Sequence, residues 1–324
     1  MPATRRTLMA SAIALATPRL ALAQAEDWPR RPIRMIVPYA PGGGADLTTR
    51  ILCEAIRPML GQPIIVENRA GANGVVGSEA VARSAPDGYT LVTVTNGHLA
   101  NRYVMQSLPF DPLRDFTPIA MISNYPMMLA AGAAAPFGDL KGLLDYARAH
   151  PRDVSYGTST AVSSFVGQSF ARLSGVEMTE IPYRGGGPMM TDLIAGVLQV
   201  GWGSPETVLA QMSSGRLRIL GISSTTRMQA APEVPTIQEV GPKGFDHTAW
   251  IGFFGPAKLP PEIPARIAAA LQQAVQNPAT RQRLQEMGNL GISEGPDAFR
   301  ERNIREDQAW DKAAREGLLT RITG

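Results

Sequence analysis

Short apolar runs alternate with helix-periodic segments along most of this 324-residue chain, and that alternation limits the possible folds most strongly. The run Ile33–Val37 predicts a buried strand, and three glycines follow it closely. Apolar residues then recur at helical spacing over Leu47–Met59, before a second strand is predicted at Pro63–Asn68. A strand, a helix and a strand in this order form a βαβ unit, so we predict an α/β fold with parallel sheets.

The same alternation continues in two blocks, which predicts two lobes. Apolar crossover segments near Met121–Leu129 and Trp250–Phe254 separate the blocks, so the chain is expected to leave the first lobe and return to it. We predict a first lobe formed by residues 26–124 and 252–324, and a second lobe formed by residues 125–251.

The surplus of positive charge, +3 from 31 Lys and Arg against 28 Asp and Glu, comes from the N-terminus. The first 25 residues contain Arg5, Arg6 and Arg19 and no acid, so the remainder has no net charge. A basic surface for nucleic acid is therefore not expected. Cys53 is the single cysteine and the three histidines lack metal-binding spacing, so we expect no intrachain disulfide, metal or other cofactor.

Residues 1–25 have the layout of a secretory signal peptide. A basic start precedes an Ala- and Leu-rich stretch and the small-residue pattern ALAQA, which predicts cleavage near Ala23 or Ala25. The segment Thr4–Leu8 (TRRTL) also resembles a twin-arginine signal, so the Sec and Tat export routes both stay open. We expect a periplasmic protein without a later membrane-spanning segment.

Three strand-to-helix turns place small residues at predicted helix N-termini, namely Tyr39–Asp46, Tyr156–Ser164 and Tyr183–Met190. Free backbone N–H groups and the positive end of the helix dipole favour an anion at such turns. Ligands of open α/β sheets bind outside the carboxyl ends of the strands, so the three turns are predicted to meet at one cleft. Each turn taken alone is better explained as a tight connection, whereas three turns of similar composition favour an anion site. Phosphate, sulfate and carboxylate all fit such a site.

The candidate ligand-binding residues come from these turns and from the segment that follows Thr95. They are Tyr39, Gly42, Gly43, Gly44, Asp46, Asn96, Asn101, Thr158, Ser159, Thr160, Ser163, Tyr183, Arg184, Gly185 and Gly186. Two alternatives remain open for Asn96 and Asn101, which either line the cleft or cap the next turn. Arg184 either pairs with a ligand carboxylate or is a solvated arginine at a strand end. Asp46 is expected to cap its helix, because it would repel an anion.

Nucleotide-binding and hydrolase motifs are incomplete in this chain. No G-x-x-x-x-G-K-[ST] sequence occurs, and Leu47 replaces the third glycine of G-x-G-x-x-G. The segment Gly157–Ala161 (GTSTA) lacks the final glycine of G-x-S-x-G, and no histidine stands at a supporting spacing. These gaps count against an exported α/β hydrolase that uses Ser159, which stays as the alternative function. A ligand sensor for a signalling partner is a further alternative.

Several segments resemble one known family, in the same order along the chain from about Trp28 to the C-terminus. They are WPRRPIRMIVPYAPGGGADLTTRILCEAI, IIVENRAGANGVVGSEAVARSAPDGYTL, LPFDPLRDFTPI, YGTS, IPYRGGGPMMTDLIAG and WIGFFGPAKLP. They resemble the Bug-type solute receptors, which are the extracytoplasmic binding proteins of tripartite tricarboxylate transporters.

This resemblance implies a type II periplasmic-binding-protein fold, with two α/β lobes, a hinge and a ligand cleft between the lobes. It implies a non-enzymatic receptor, expected to be a monomer, that delivers a small carboxylate to membrane permease subunits. Backbone N–H groups would hold the carboxylate at Tyr39 and Gly42–Asp46, at Asn96 and Asn101, and at the second-lobe loops Thr158–Ser163 and Tyr183–Gly187. The chain departs from the family at two positions, with Thr160 where glycine is usual and Gly203 where aspartate is frequent.

Overall fold

The computed structural model describes residues 28–212, 214–317 and 319, so the predicted signal peptide lies outside the described residues. Its strands are β1 Ile33–Val37, β2 Ile64–Asn68, β3 Thr90–Thr95, β4 Phe116–Pro126, β5 Met128–Gly132, β6 Ser155–Thr158, β7 Thr179–Pro182, β8 Val200–Gly203, β9 Leu217–Ile222, β10 Thr248–Pro256 and β11 Leu290–Glu294. Its α-helices are α1 Gly44–Leu60, α2 Val75–Ala82, α3 Gly97–Val104, α4 Leu140–Ala149, α5 Ala161–Ser174, α6 Gly186–Ala195, α7 Pro205–Met212, α8 Ile237–Val240, α9 Glu262–Gln276, α10 Pro278–Glu286 and α11 Pro296–Arg315. A short 3-10 turn lies at Ala72–Gly74.

The first lobe is built on a six-stranded sheet in the order β11-β4-β10-β3-β1-β2. Strand β1 pairs parallel with β2 and β3, with Ile33 opposite Ile64 and Met35 opposite Leu91. Strand β10 runs antiparallel between β3 and β4, and β11 adds an antiparallel edge. The predicted parallel βαβ unit is therefore present, within a mixed sheet.

The second lobe is built on a five-stranded sheet in the order β7-β6-β8-β5-β9. Strand β6 pairs parallel with β7 and β8, whereas β5 runs antiparallel between β8 and β9. In each sheet, the first strand after the chain crosses between the lobes runs antiparallel to its neighbours. This strand is β5 in the second sheet and β10 in the first.

The chain crosses between the lobes at two adjacent points. Met127 alone separates β4 from β5, and its N–H donates to Ser223 Oγ at 2.8 Å. The Ser223 N–H donates back to the Met127 carbonyl at 2.9 Å, and the His247 N–H donates to the Ser223 carbonyl at 2.9 Å. Ser223 is fully buried, so this short network joins the outgoing and returning chain segments inside the protein.

The strand pairing supports lobe boundaries slightly different from those predicted from the sequence. Strand β4 stays paired in the first sheet through Pro126, and β10 is paired there from Thr248. We therefore propose that the crossings lie at Met127 and between Ser223 and His247, instead of after residue 124 and before residue 252.

Helix α1 shows why the sequence folds locally as predicted. Its apolar face buries Ile51, Leu52 and Ile56 against the sheet, and Gly61 ends the helix with the left-handed φ of 73° that glycine tolerates best. Among the described residues, no helix is long and apolar enough to cross a membrane.

Candidate ligand-binding site

A cavity of about 380 Å³ lies where loops of both lobes meet, at the carboxyl ends of the parallel strands. Tyr39 follows β1, Thr95 ends β3, Ser159 follows β6 and Arg184 follows β7. This is the position at which open α/β sheets bind ligands, and the volume suits a small molecule.

Most of the predicted residues line this cavity, and the others lie behind its wall. Those that line it are Tyr39, Gly42, Gly43, Gly44, Asn96, Ser159, Thr160, Arg184, Gly185 and Gly186. Those that do not are Asp46, Asn101, Thr158, Ser163 and Tyr183. The structure gives each of the second group a hydrogen-bond partner within the protein, which explains why these side chains do not face a ligand.

Asp46 holds the first loop in shape. It is buried, and its Oδ2 accepts a hydrogen bond from the Gly42 N–H at 2.9 Å. Arg50 Nε donates to its Oδ1 at 3.0 Å, and Asn68 Nδ2 donates to the same oxygen at 2.9 Å. Burial raises the pKa of Asp46, but the hydrogen bonds from Arg50, Gly42 and Asn68 outweigh it and lower the pKa overall. The carboxylate therefore stays charged and fixes Gly42, whose φ is +78°.

Three other predicted side chains bind elements behind the wall. Thr158 Oγ1 donates to Glu180 Oε1 at 2.7 Å, and the Tyr183 hydroxyl donates to Asp192 Oδ2 at 2.8 Å. Asn101 Nδ2 donates at 3.1 Å to the backbone carbonyl of Asn73, in the 3-10 turn. Asn101 therefore supports a turn that precedes it in the chain, which is neither of the two roles left open for it.

Thr160 and Ser163 form a capping box at the start of helix α5. Thr160 is the N-cap, and its Oγ1 accepts a hydrogen bond from the Ser163 N–H at 3.1 Å. Ser163 Oγ in turn accepts from the N–H groups of Ser159 and Thr160 at 2.9 and 3.0 Å. The backbone donors of Ser159 and Thr160, which the sequence offers to an anion, are therefore already occupied by a side chain of the same turn.

Helices α1 and α6 start differently, because glycines occupy their N-cap positions. Gly43 caps α1 and Gly185 caps α6, and no side chain of the described residues caps either end. The first-turn N–H groups of both helices and the positive ends of their dipoles therefore border the cavity from opposite lobes. A Cβ placed on Gly185 would lie 3.8 Å from Ala40 Cβ, so the two glycine loops approach each other closely.

Neutral hydroxyl and amide groups form the first-lobe wall between these ends. The Tyr39 hydroxyl lies 3.1 Å from Thr95 Oγ1 and accepts the Thr95 N–H at 3.1 Å. Burial raises the pKa of Tyr39, so the phenol stays neutral. Asn96 donates from Nδ2 to the Thr248 carbonyl at 3.4 Å and lines the cavity.

Sequence reasoning missed Glu206, the sole acid among the described residues that line the cavity. Glu206 lies in the first turn of α7, which follows β8. The connection from β8 to α7 is a strand-to-helix turn like the three turns that the sequence analysis selected. Burial raises the pKa of Glu206, and interactions with Ser204 and Asn289 oppose that rise. The pair Ser204 and Pro205 is a typical helix start and could have revealed this fourth turn.

None of the three histidines, all of them described, lines the cavity beside Ser159. His98 packs against Phe110, Phe116 and Phe254 at ring-centroid distances of 5.3, 4.7 and 5.7 Å. Burial lowers the pKa of His98 to about 3. In the described part of the chain, no histidine that could act as the base of the alternative hydrolase mechanism lies beside Ser159. Within the described ranges, no three or more His, Cys, Asp and Glu side chains are grouped to hold a metal ion.

The model of one family, described as the tripartite tricarboxylate transporter family receptor, matches residues 48–305. The chain belongs to this family. Its relatives include the protein BugT of Bordetella pertussis, which is 33% identical over 316 residues, 96% of this chain and 97% of BugT. The resemblance in the sequence motifs is thereby confirmed.

Solved structures show the same two-lobed fold. Rpa4515 of R. palustris, solved with adipate, has a TM-score of 0.88 at 28% identity and covers 91% of this chain and 100% of its own. MatC of Rhodopseudomonas palustris, with bound malate, has a TM-score of 0.82 at 30% identity and covers 89% and 100%. The periplasmic binding protein BugD has a TM-score of 0.84 at 28% identity and covers 91% and 100%. The predicted periplasmic-binding-protein fold is confirmed.

Replacing Ser163 with alanine removes the acceptor for the N–H groups of Ser159 and Thr160. We expect Ser163→Ala to lower the free energy of unfolding by about 1–2 kcal/mol, because a helix cap is lost and two donors lose their partner. Urea unfolding followed by circular dichroism measures this loss. Ser107→Ala, at an exposed serine, is the control and should cost about 0.5 kcal/mol or less. Equal losses in the two variants would show that Ser163 does not hold this loop.

Proposed function

We propose that this chain is an exported solute receptor that holds a small carboxylate-bearing ligand between its lobes and presents it to membrane permease subunits of a tripartite transporter. The observation that carries this proposal is the meeting of two uncapped helix N-termini, α1 and α6, in one cavity. Adipate and malate in the related structures are carboxylates, which is the chemistry that such helix ends favour. One chain supplies both walls of the cavity, so ligand binding needs no second copy, and we propose that the receptor acts as a monomer.

Neutral donors and helix dipoles are proposed to carry most of the carboxylate binding. Arg184 is the sole basic residue among the described residues that line the cavity, and its side chain is exposed. Exposed ion pairs contribute little, because water and salt screen them. The binding mode therefore differs from recognition by a buried arginine pair.

A thermal-shift screen of the protein without residues 1–25 tests the ligand class. Dicarboxylates, citrate, acidic amino acids, benzoates and nicotinate form the panel, with phosphate and nucleotides as controls. A ligand at 100 times its Kd should stabilise the folded state by ~2.7 kcal/mol and raise Tm, because it binds only that state. A response to phosphate esters or nucleotides alone would contradict the carboxylate proposal.

Removal of the Arg184 side chain tests the neutral-donor binding mode. We expect Arg184→Ala to raise the Kd for the carboxylate found in the screen by about fivefold or less, since the lost charge is exposed. Isothermal titration calorimetry measures this change, and Arg114→Ala, an exposed arginine outside the cavity lining, is the control. Complete loss of binding in Arg184→Ala alone would show that a salt bridge holds the ligand.

Export is proposed to remove the segment that ends near Ala23 or Ala25. The mass of the protein recovered from the periplasm should therefore correspond to a chain without it. Replacing Arg5 and Arg6 by lysine distinguishes the export routes, since a twin-arginine signal requires the arginine pair. A periplasmic protein that retains all of residues 1–25 would contradict the cleavage.

A further inference from the structure

Glu206 brings a buried carboxylate into the wall of the cavity. The residue is 4% exposed, and its Oε1 accepts a hydrogen bond from Asn289 Nδ2 at 3.2 Å. Its Oε2 has no hydrogen-bond partner among the described residues. Buried polar atoms are normally paired, so an unpaired carboxylate oxygen beside a ligand cavity calls for a partner from outside the protein.

The surroundings of Glu206 provide no positive side chain. Asn289, which binds its Oε1, is neutral and also donates to Thr48 Oγ1 at 2.8 Å. On the first-lobe side the carboxylate packs against Gly44, where a Cβ would overlap it. Arg184 lines the same cavity but is exposed, and no ion pair joins Glu206 to a cation within the described ranges. The positive end of α1, which begins at Gly44, and the polar groups of Ser204 and Asn289 offset part of the negative charge of Glu206. Its Oε2 is left for a group that enters the cavity.

One carboxylate of a dicarboxylate ligand would lie next to the carboxylate of Glu206. Repulsion between like charges is strong where the dielectric constant is low, so such a ligand should bind less tightly. A ligand with one carboxylate and one ammonium group would instead meet a complementary charge. We propose that Glu206 receives a cationic amine of the ligand, so that this cleft selects amino monocarboxylates over dicarboxylates. This inference rests on the proposed receptor function and specifies the ligand further.

The cavity offers a binding group for each of the two charges of such a ligand. The uncapped N-terminus of α6, beside Arg184, suits the carboxylate. A Cβ on Gly186, the first residue of α6, would lie 3.1 Å from Cγ2 of Thr207, the neighbour of Glu206. Thr207 thus packs at the start of α6, whereas the carboxylate of Glu206 packs against Gly44 at the start of α1, and both helix starts border the same cavity. In the proposed binding mode the ligand carboxylate lies at α6 and the ammonium group lies at Glu206.

Matched pairs of ligands test this selection, because each pair differs in one terminal group only. The pairs are succinate with γ-aminobutyrate, glutarate with δ-aminovalerate, and adipate with ε-aminocaproate. We expect the wild-type protein to bind the amino member of the fitting pair about tenfold or more tightly than the diacid in calorimetry. Glu206→Gln keeps the side-chain shape without the charge, and should reduce that preference by about tenfold or more, with tighter diacid binding.

Glu233→Gln is the control, since it removes one acid at an exposed position outside the cavity lining. The comparison of diacid with amino acid in the wild-type protein needs no variant, so it tests the proposal even if Glu206→Gln folds poorly. A wild-type preference for the diacid at every length, or an unchanged preference in Glu206→Gln, would overturn the assignment of Glu206 and leave the receptor function intact. Failure to bind any carboxylate, with or without an amine, would contradict the receptor function itself.

Discussion

The antiparallel pairing of β4 with β10 is the constraint on which the two-lobed structure depends. These strands pair along nearly their whole length, from Thr248 opposite Pro126 to Pro256 opposite Phe116. Because both crossings adjoin this pair, the hydrogen bonds of Ser223 with Met127 and His247 fix where the chain passes between the sheets. Met127 and Ala249 also line the cavity, so the strand pair that joins the lobes forms part of its wall.

The electrostatics of the cavity follow from backbone geometry more than from charged side chains. Glycine at the N-caps of α1 and α6 leaves backbone donors facing the cavity. At α5, Thr160 accepts the Ser163 N–H, and Ser163 accepts the N–H groups of Ser159 and Thr160. Three turns of similar sequence therefore differ in chemistry. The starts of α1 and α6 have no side-chain cap among the described residues, so both attract a negative group, and at α1 the carboxylate of Glu206 packs against Gly44.

The sequence predicts the fold better than it predicts the contacts of single side chains. Hydrophobic periodicity marks α1 and β1 because burial on one face leaves a regular pattern, and Gly61 marks a helix end because few residues adopt its φ. Ser163 and Asp46 belong to the right turns, but a hydroxyl or carboxylate near a helix start binds its own backbone as readily as a ligand. Glu206 is missed because its environment is set by Asn289, 83 residues away in the chain.

The side chains behind the cavity wall also affect the thermodynamics of capture. Asp46 fixes the first glycine loop, and Ser163 fixes the turn at Ser159 and Thr160, through hydrogen bonds that need no ligand. Loops that are ordered in advance lose little conformational entropy when a ligand arrives, so less of the interaction energy is spent on ordering them. A molecule of only a few heavy atoms can then be held firmly, because a small ligand offers few contacts to offset such a cost. The rigidity of these two turns is thus what suits the cleft to very small solutes.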